Sequence, residues 1–334
     1  MSAQISVFRS PEGEARYRAA YAAALRLWPV PYEELYMPTR LGETHILASG
    51  SKDAPPLLLL HPAGCGSTIW CRNVRALSRH FRIFAVDTMG EVNLSRPARP
   101  IHGGEDFLDW MADLLDALKI RTTCLVGNSF GGYVALNTAL FLPDRVRNVV
   151  LISPAATFDP MRPLYRHFTP AYILRYVTGS TRPLLRAYDW TWQGFPRDDC
   201  IAQLRVVTAI EGVMRHGPPG VFSDDELRKI RAPVLLLIGD HEVIYADPQL
   251  VINRAMRLMP HLEADRIPNA NHNAEYTNPE GVNRKILAFL KDGSNGRIGG
   301  RPEGALEKGA APSGRGRAHT NHKRRRPNPA RTVR

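Results

Sequence analysis

Val126-Gly127-Asn128-Ser129-Phe130-Gly131-Gly132 lies between an apolar run, Thr123–Val126, and a helical pattern over Tyr133–Leu142. A serine at this junction is lifted above a sheet on a sharp, strained strand-to-helix turn. Bulky side chains two positions to either side would collide with the neighbouring strand and helix, so Gly127 and Gly131 suit those places. The following helix aims its first amide N–H groups and the positive end of its dipole at whatever the serine attacks. Ser129 therefore reads as a nucleophile. A passive serine in a Gly-rich turn is the plain alternative, and the strand before, the helix after and the third glycine at 132 argue against it.

Working outward, eight short segments read as strands: Leu35–Met37, Thr44–Ala48, Leu57–Leu60, Ile83–Val86, Thr123–Val126, Val149–Ile152, Val234–Ile238 and Ala264–Ile267. Helical patterns separate them. Phe107 to Leu118 places apolar residues at 107, 108, 111, 114, 115 and 118, a 3.6-residue period. Ala15–Leu27, Gln249–Met259 and Gly281–Leu290 also read as helices. Strands alternating with helices predict a mostly parallel sheet covered on both faces, with ligand sites at the carboxyl ends of its strands. Residues 158–230 break the alternation: they are rich in Tyr, Trp, Arg, Pro and Leu and show no clear strand. They are expected to form an inserted helical cap, ordinary peripheral helices being the alternative. The predicted organisation is a helical segment over 1–32, an α/β core over 33–157 and 231–292, the cap between, and a tail over 293–334.

The 334 residues are 44% apolar, enough for a large α/β core, and no stretch has the length of a bilayer-spanning helix. The N-terminus lacks an apolar region followed by a cleavage site, so no secretory signal is expected. The formal charge of +12 is unevenly placed. From Gly293 onward eleven Lys and Arg face two Glu, leaving about +3 for the rest. The tail has few large apolar residues and is expected to be disordered. Nucleic-acid binding is not expected of the folded part; only the tail, at Lys323-Arg324-Arg325-Arg326, has the charge for it. Cys65, Cys71, Cys124 and Cys200 show no CxxC pair and no zinc spacing, and read as free thiols in a reducing cytoplasm. No metal or cofactor is expected.

A serine hydroxyl is a weak nucleophile until a base takes its proton. Among eleven histidines, His272 in Ile267-Pro-Asn-Ala-Asn-His-Asn follows the last strand and precedes the final helix, the best place in chain order. His241 and His261 read as surface residues. The base in turn needs an acid to hold its tautomer. Val234-Leu-Leu-Leu-Ile-Gly-Asp-His-Glu leaves a buried strand at Gly239, and Glu242, three residues on, clears the strand to face a histidine. Asp240 is the alternative acid, though it suits a cap or turn; Asp247 and Asp159 stay open. Oxyanion donors are expected from the backbone N–H of Phe130 and from the loop His61-Pro62-Ala63-Gly64-Cys65-Gly66. Pro62 has no N–H, so Ala63 is preferred, with Gly64 in reserve. His61 reads as a structural hydrogen-bonder rather than a base.

These segments together resemble the α/β-hydrolase superfamily, in particular its bacterial carboxylesterase-like members, over about Glu33 to Leu290. Four landmarks carry the resemblance in order: Leu57-Leu-Leu-Leu-His-Pro-Ala-Gly, Val86-Asp87-Thr-Met-Gly90-Glu-Val-Asn-Leu-Ser95, the serine turn, and Gly239-Asp-His-Glu242 with Asn271-His272. Pro62 stands where the family usually has Gly, Glu242 where Asp is commoner, and Asn271 where Gly usually precedes the histidine. The resemblance implies an eight-stranded, mostly parallel sheet, a helical cap and metal-free hydrolysis through an acyl-enzyme. A haloalkane dehalogenase is not expected, since those relatives place Asp where Ser129 stands. The expected substrate is a small-molecule carboxylic ester. The same triad acting on C–C, lactone or amide bonds or in perhydrolysis is the alternative, and a non-enzymatic receptor on this fold is a third reading.

Overall fold

A computed structural model of the chain describes residues 5–191 and 199–292. The tail and Lys323–Arg326 fall outside the described residues, as do 192–198 within the predicted cap. Among the described residues nine strands form one sheet: β1 (Glu33–Thr39), β2 (Gly42–Ser49), β3 (Pro56–Leu60), β4 (Arg82–Val86), β5 (Arg96–Pro97), β6 (Thr123–Asn128), β7 (Val146–Ile152), β8 (Val234–Gly239) and β9 (Leu262–Ile267). Eight of them run in the order β1-β2-β4-β3-β6-β7-β8-β9, and the two-residue β5 pairs β2 to one side. Pairing is antiparallel from β1 through β2 to β4 and parallel from β4 to β9. The sequence pattern locates all eight strands of the main path. It misses β5, because two residues are too few to show a period.

The helices are α1 (Pro11–Leu25), α2 (Cys71–Leu77), α3 (Gly104–Ala117), α4 (Phe130–Phe141), α5 (Tyr165–Thr178), α6 (Arg182–Thr191), α7 (Cys200–Glu211), α8 (Asp224–Arg228), α9 (Pro248–Leu258), α10 (Ala274–Thr277) and α11 (Pro279–Asp292). Alternation along the buried strands divides their side chains between two cores. Leu58, Leu60, Leu125, Leu151 and Leu236 face the side covered by Trp110 of α3, Val134 of α4 and Val251 of α9. Leu57, Leu59, Val126, Val150 and Leu237 face Tyr17 of α1, Val74 of α2 and Ile286 of α11. Helix α1 starts four residues before the sequence pattern places it. Ser10 caps it by accepting the Gly13 N–H at 3.0 Å, and Pro11 takes the first turn, where its missing N–H costs nothing.

Between β7 and β8 the described residues hold only helices and connections. Helix α7 packs along α1, and Arg16 binds Glu211 at 2.8 Å. The connection after α7 is tied down by isolated bridges from Gly212 to Phe8 and from His216 to Ile101. Helix α5 differs: Ile173, Leu174, Tyr176 and Val177 are all exposed. Among the described residues no helix is long and apolar enough to cross a membrane.

Candidate active site

Ser129 lies between β6 and α4 with φ 50° and ψ −115°, a left-handed backbone that L residues avoid. Three hydrogen bonds hold it there. Its N–H donates to Ile152 O at 2.9 Å, and its carbonyl accepts from Tyr133 and Ala155 N–H at 3.1 and 2.9 Å. The flanking glycines permit the turn. A Cβ on Gly127 would strike the Gly131 carbonyl, and one on Gly131 would strike the Leu60 carbonyl at the end of β3. Phe130 is the first residue of α4, so its N–H is one of those the helix cannot satisfy.

His272 lies in the loop after β9, and its Nδ1 is 3.0 Å from Glu242 Oε2 and 3.1 Å from Oε1. The elbow and this loop are adjacent, since Asn128 Nδ2 donates to the His272 carbonyl at 3.4 Å. Ser129 and His272 retain only 8% and 6% exposure, so the site opens narrowly to solvent. Glu242 also accepts the Val243 and Ile244 N–H groups at 2.7 and 2.9 Å. Burial by itself pushes the Glu242 carboxyl up, but the adjacent His272 and these donors outweigh it and hold the group below its ordinary value.

The rival carboxylates point elsewhere. Asp240 pairs with Arg266 Nε at 3.3 Å in a half-exposed position, and Asp247 caps α9 by accepting the Gln249 N–H at 2.8 Å. Asp159 lies on the stretch after β7 and is not brought to His272 by any hydrogen bond. His241 and His261 are exposed. His61 is buried with both ring nitrogens engaged: Nδ1 with Pro62 O at 2.9 Å and Nε2 with the Thr88 N–H at 3.0 Å. A ring so occupied has no free position for a proton from serine.

The loop after β3 leaves the elbow at His61, whose carbonyl a Cβ on Gly131 would meet, and turns at Gly64 with φ +70°. The Gly64 N–H donates to Glu91 Oε2 at 2.9 Å and is therefore spoken for. Cys65 is buried beside Arg205 of α7, whose Nη1 is 3.3 Å from the sulfur. Burial pushes this thiol up to about 11, more than the Arg205 charge offsets, so it stays protonated and inert. All four cysteines are free. Among the described residues no three His, Cys, Asp or Glu side chains group to hold a metal ion.

Three buried polar residues, two of them in the Val86–Ser95 landmark, have no individual role in the sequence analysis. Asp87 accepts from Ser67 N–H and Oγ at 2.7 Å and pairs with His45 Nδ1 at 2.9 Å, which locks the turn after β4. Glu91 binds both Gly64 and His216 Nε2, the latter at 2.8 Å. Glu275, three residues past His272, accepts from Asn128 Nδ2, and its Oε1 has no partner among the described residues. Burial pushes Glu275 up to about 7. The Asn128 side-chain Oδ1 is unpartnered too, so a neutral carboxyl, which carries a donor, suits this pocket better than an anion. Gly90-Glu91 and the offset of three from His272 are visible as letters; the burial that gives them meaning is not.

Residues 57–285 match the family model described as "Alpha/beta hydrolase family". The chain is 37% identical to carboxylesterase YbfK of Bacillus subtilis over 301 residues, covering 86% of this chain and 97% of that protein. The crystal structure of carboxylesterase CesB (YbfK) from Bacillus subtilis superimposes with a TM-score of 0.76 at 37% identity, over 84% of this chain and 98% of that one. That of naproxen esterase (carboxylesterase NP) from Bacillus subtilis gives 0.76 at 34% identity, over 84% and 99%. The strained serine on a parallel sheet, the match over most of the core and these near-complete overlaps agree: the chain belongs to the α/β-hydrolase family.

Proposed function

We propose that the protein hydrolyses small-molecule carboxylic esters through an acyl-enzyme on Ser129. The observation that carries the reading is the buried Glu242–His272 pair next to a serine held at φ 50°. In this mechanism Glu242 keeps the His272 Nδ1 proton in place, leaving Nε2 to take the Ser129 proton as Oγ attacks the acyl carbon. The alkoxide of the tetrahedral intermediate rests on the N–H groups of Phe130 and Ala63. Ala63 is favoured over Gly64 because the Gly64 N–H already donates to Glu91. His272 then protonates the departing alcohol, and water, activated by the same imidazole, releases the acid.

The family membership and the two carboxylesterase relatives support this substrate class. In the same reading α5, α6 and α7 form a cap, supported by the contact of Arg205 with Cys65 in the oxyanion loop. A cytoplasmic location is proposed on the four free thiols. The test is hydrolysis of p-nitrophenyl esters of graded acyl length by wild type and Ser129→Ala. The alanine variant is expected to lose about 10⁴-fold or more in kcat; undiminished turnover refutes the reading.

A further inference from the structure

Glu91 and His216 are 125 residues apart in sequence and form a buried pair, with side-chain exposures of 0% and 4%. Each reaches a different half of the oxyanion site. Glu91 Oε2 accepts the Gly64 N–H at 2.9 Å, which fixes the peptide following Ala63. The His216 ring stacks on the Phe130 ring, with centroids 4.4 Å apart and planes 20° apart, and Phe130 opens α4 beside Ser129. Phe107 closes the other approach to His216, edge-on at 5.9 Å. Backbone bonds secure the pair. Arg215 N–H donates to Gly90 O and Ile101 N–H to Arg215 O, both at 2.7 Å, while His216 Nδ1 meets Gly217 O at 2.7 Å.

We infer that Glu91 and His216 are positioning residues, a brace that holds the Ala63 and Phe130 amides at the spacing the oxyanion requires; the inference rests on the acyl-transfer reading above. A carboxylate this deep is tolerated only with partners on both oxygens, and a lone negative charge near a forming oxyanion would oppose it. His216 Nε2 on Oε1 at 2.8 Å and the Gly64 N–H on Oε2 at 2.9 Å are those partners. Burial by itself pushes Glu91 up, but the bond and charge of His216 and the Gly64 amide outweigh it and hold the group below its ordinary value. Burial by itself lowers His216, and the Glu91 bond and charge and the Gly217 carbonyl raise it above the ordinary histidine value. The remaining titratable neighbours of Glu91, Tyr17 and Cys65, are themselves raised by burial and stay neutral. Donors aimed in advance act without reorganisation, so a loosened brace is expected to cost turnover more than substrate binding.

The experiment measures kcat and KM of the full chain on p-nitrophenyl butyrate for Glu91→Ala, Glu91→Gln and His216→Phe, with Ser129→Ala beside them. Glu91→Ala is expected to lower kcat about 30- to 100-fold, short of the loss from deleting an oxyanion donor, with KM within about threefold. Glu91→Gln keeps an acceptor for the Gly64 N–H and a donor for neutral His216, and is expected to recover most of that loss. His216→Phe keeps the stacked ring but drops the bond, and is expected to lose about tenfold in kcat. An unchanged kcat in Glu91→Ala, or equal damage to kcat and KM with no recovery by glutamine, overturns the brace. Should Glu91→Ala not fold, His216→Phe decides by the same criterion. Full activity in Ser129→Ala brings down the acyl-transfer reading itself; its loss beside an unchanged Glu91→Ala brings down only the brace.

Discussion

The turn after β8, Gly239–Ile244, and the turn around α10, Asn271–Tyr276, each bury one glutamate within reach of the same histidine loop, and the two carboxyls are pulled in opposite directions. Glu242 has His272 on its two oxygens and two backbone donors besides, and is held below its ordinary value. Glu275 has one amide donor, an unpartnered oxygen, and a value pushed up to about 7. Burial is near complete in both places, so depth does not decide the charge. The histidine charge beside the anion and the donors waiting for it do.

The largest expected effect breaks the pair on the charged side. Glu242→Gln keeps the shape but loses the charge, and kcat is expected to fall about 10³- to 10⁴-fold with the fold retained by circular dichroism. A loss under tenfold would strip Glu242 of its proposed role. The same residue carries a stability signature. Its value is lowered in the folded state, so its contribution is present above the unfolded value and is lost as pH falls through the folded one. The Tm gap between wild type and Glu242→Gln is expected to shrink steadily between pH 6 and pH 3.

Glu275 has the opposite sign. Its folded value lies above its unfolded one, so stability present in acid is lost as pH rises through about 7. Glu275→Gln, which cannot ionise, is expected to raise Tm by about 5 °C at pH 8 and to give no gain at pH 4.5. A gain that does not depend on pH would show that packing, not charge, governs the pocket. The smallest effect is the control: Asp240→Asn removes a half-exposed partner of Arg266 and is expected to leave kcat within about twofold.

Much of the fold is legible from local pattern. Leu57–Leu60 and Val234–Ile238 are apolar without alternation because β3 and β8 are covered on both faces, and the structure buries every one of them. The start of α1 is also written locally, in Ser10-Pro11, although the alanine-rich run after it draws the eye further on. Helix α5 is harder to read, since apolar residues fall on its exposed side and blur the period. The choice of acid shows the limit within the site. Asp240 and Glu242 are two letters apart, and both are compatible with a turn after a strand. Only the return of Arg266 on β9 to Asp240, and of the 271–273 loop to Glu242, separates them.

The sequence by itself determined the strand and helix order, the elbow around Ser129 and the place of His272 after the last strand. Each of these rests on spacing within a few residues, where backbone sterics and burial period act directly. Tertiary structure alone decided which carboxylate meets His272, that Glu91 takes up the Gly64 amide, and that Glu91 meets His216. Those outcomes depend on contacts between segments 27 to 125 residues apart, whose distance and solvent exclusion no local pattern encodes.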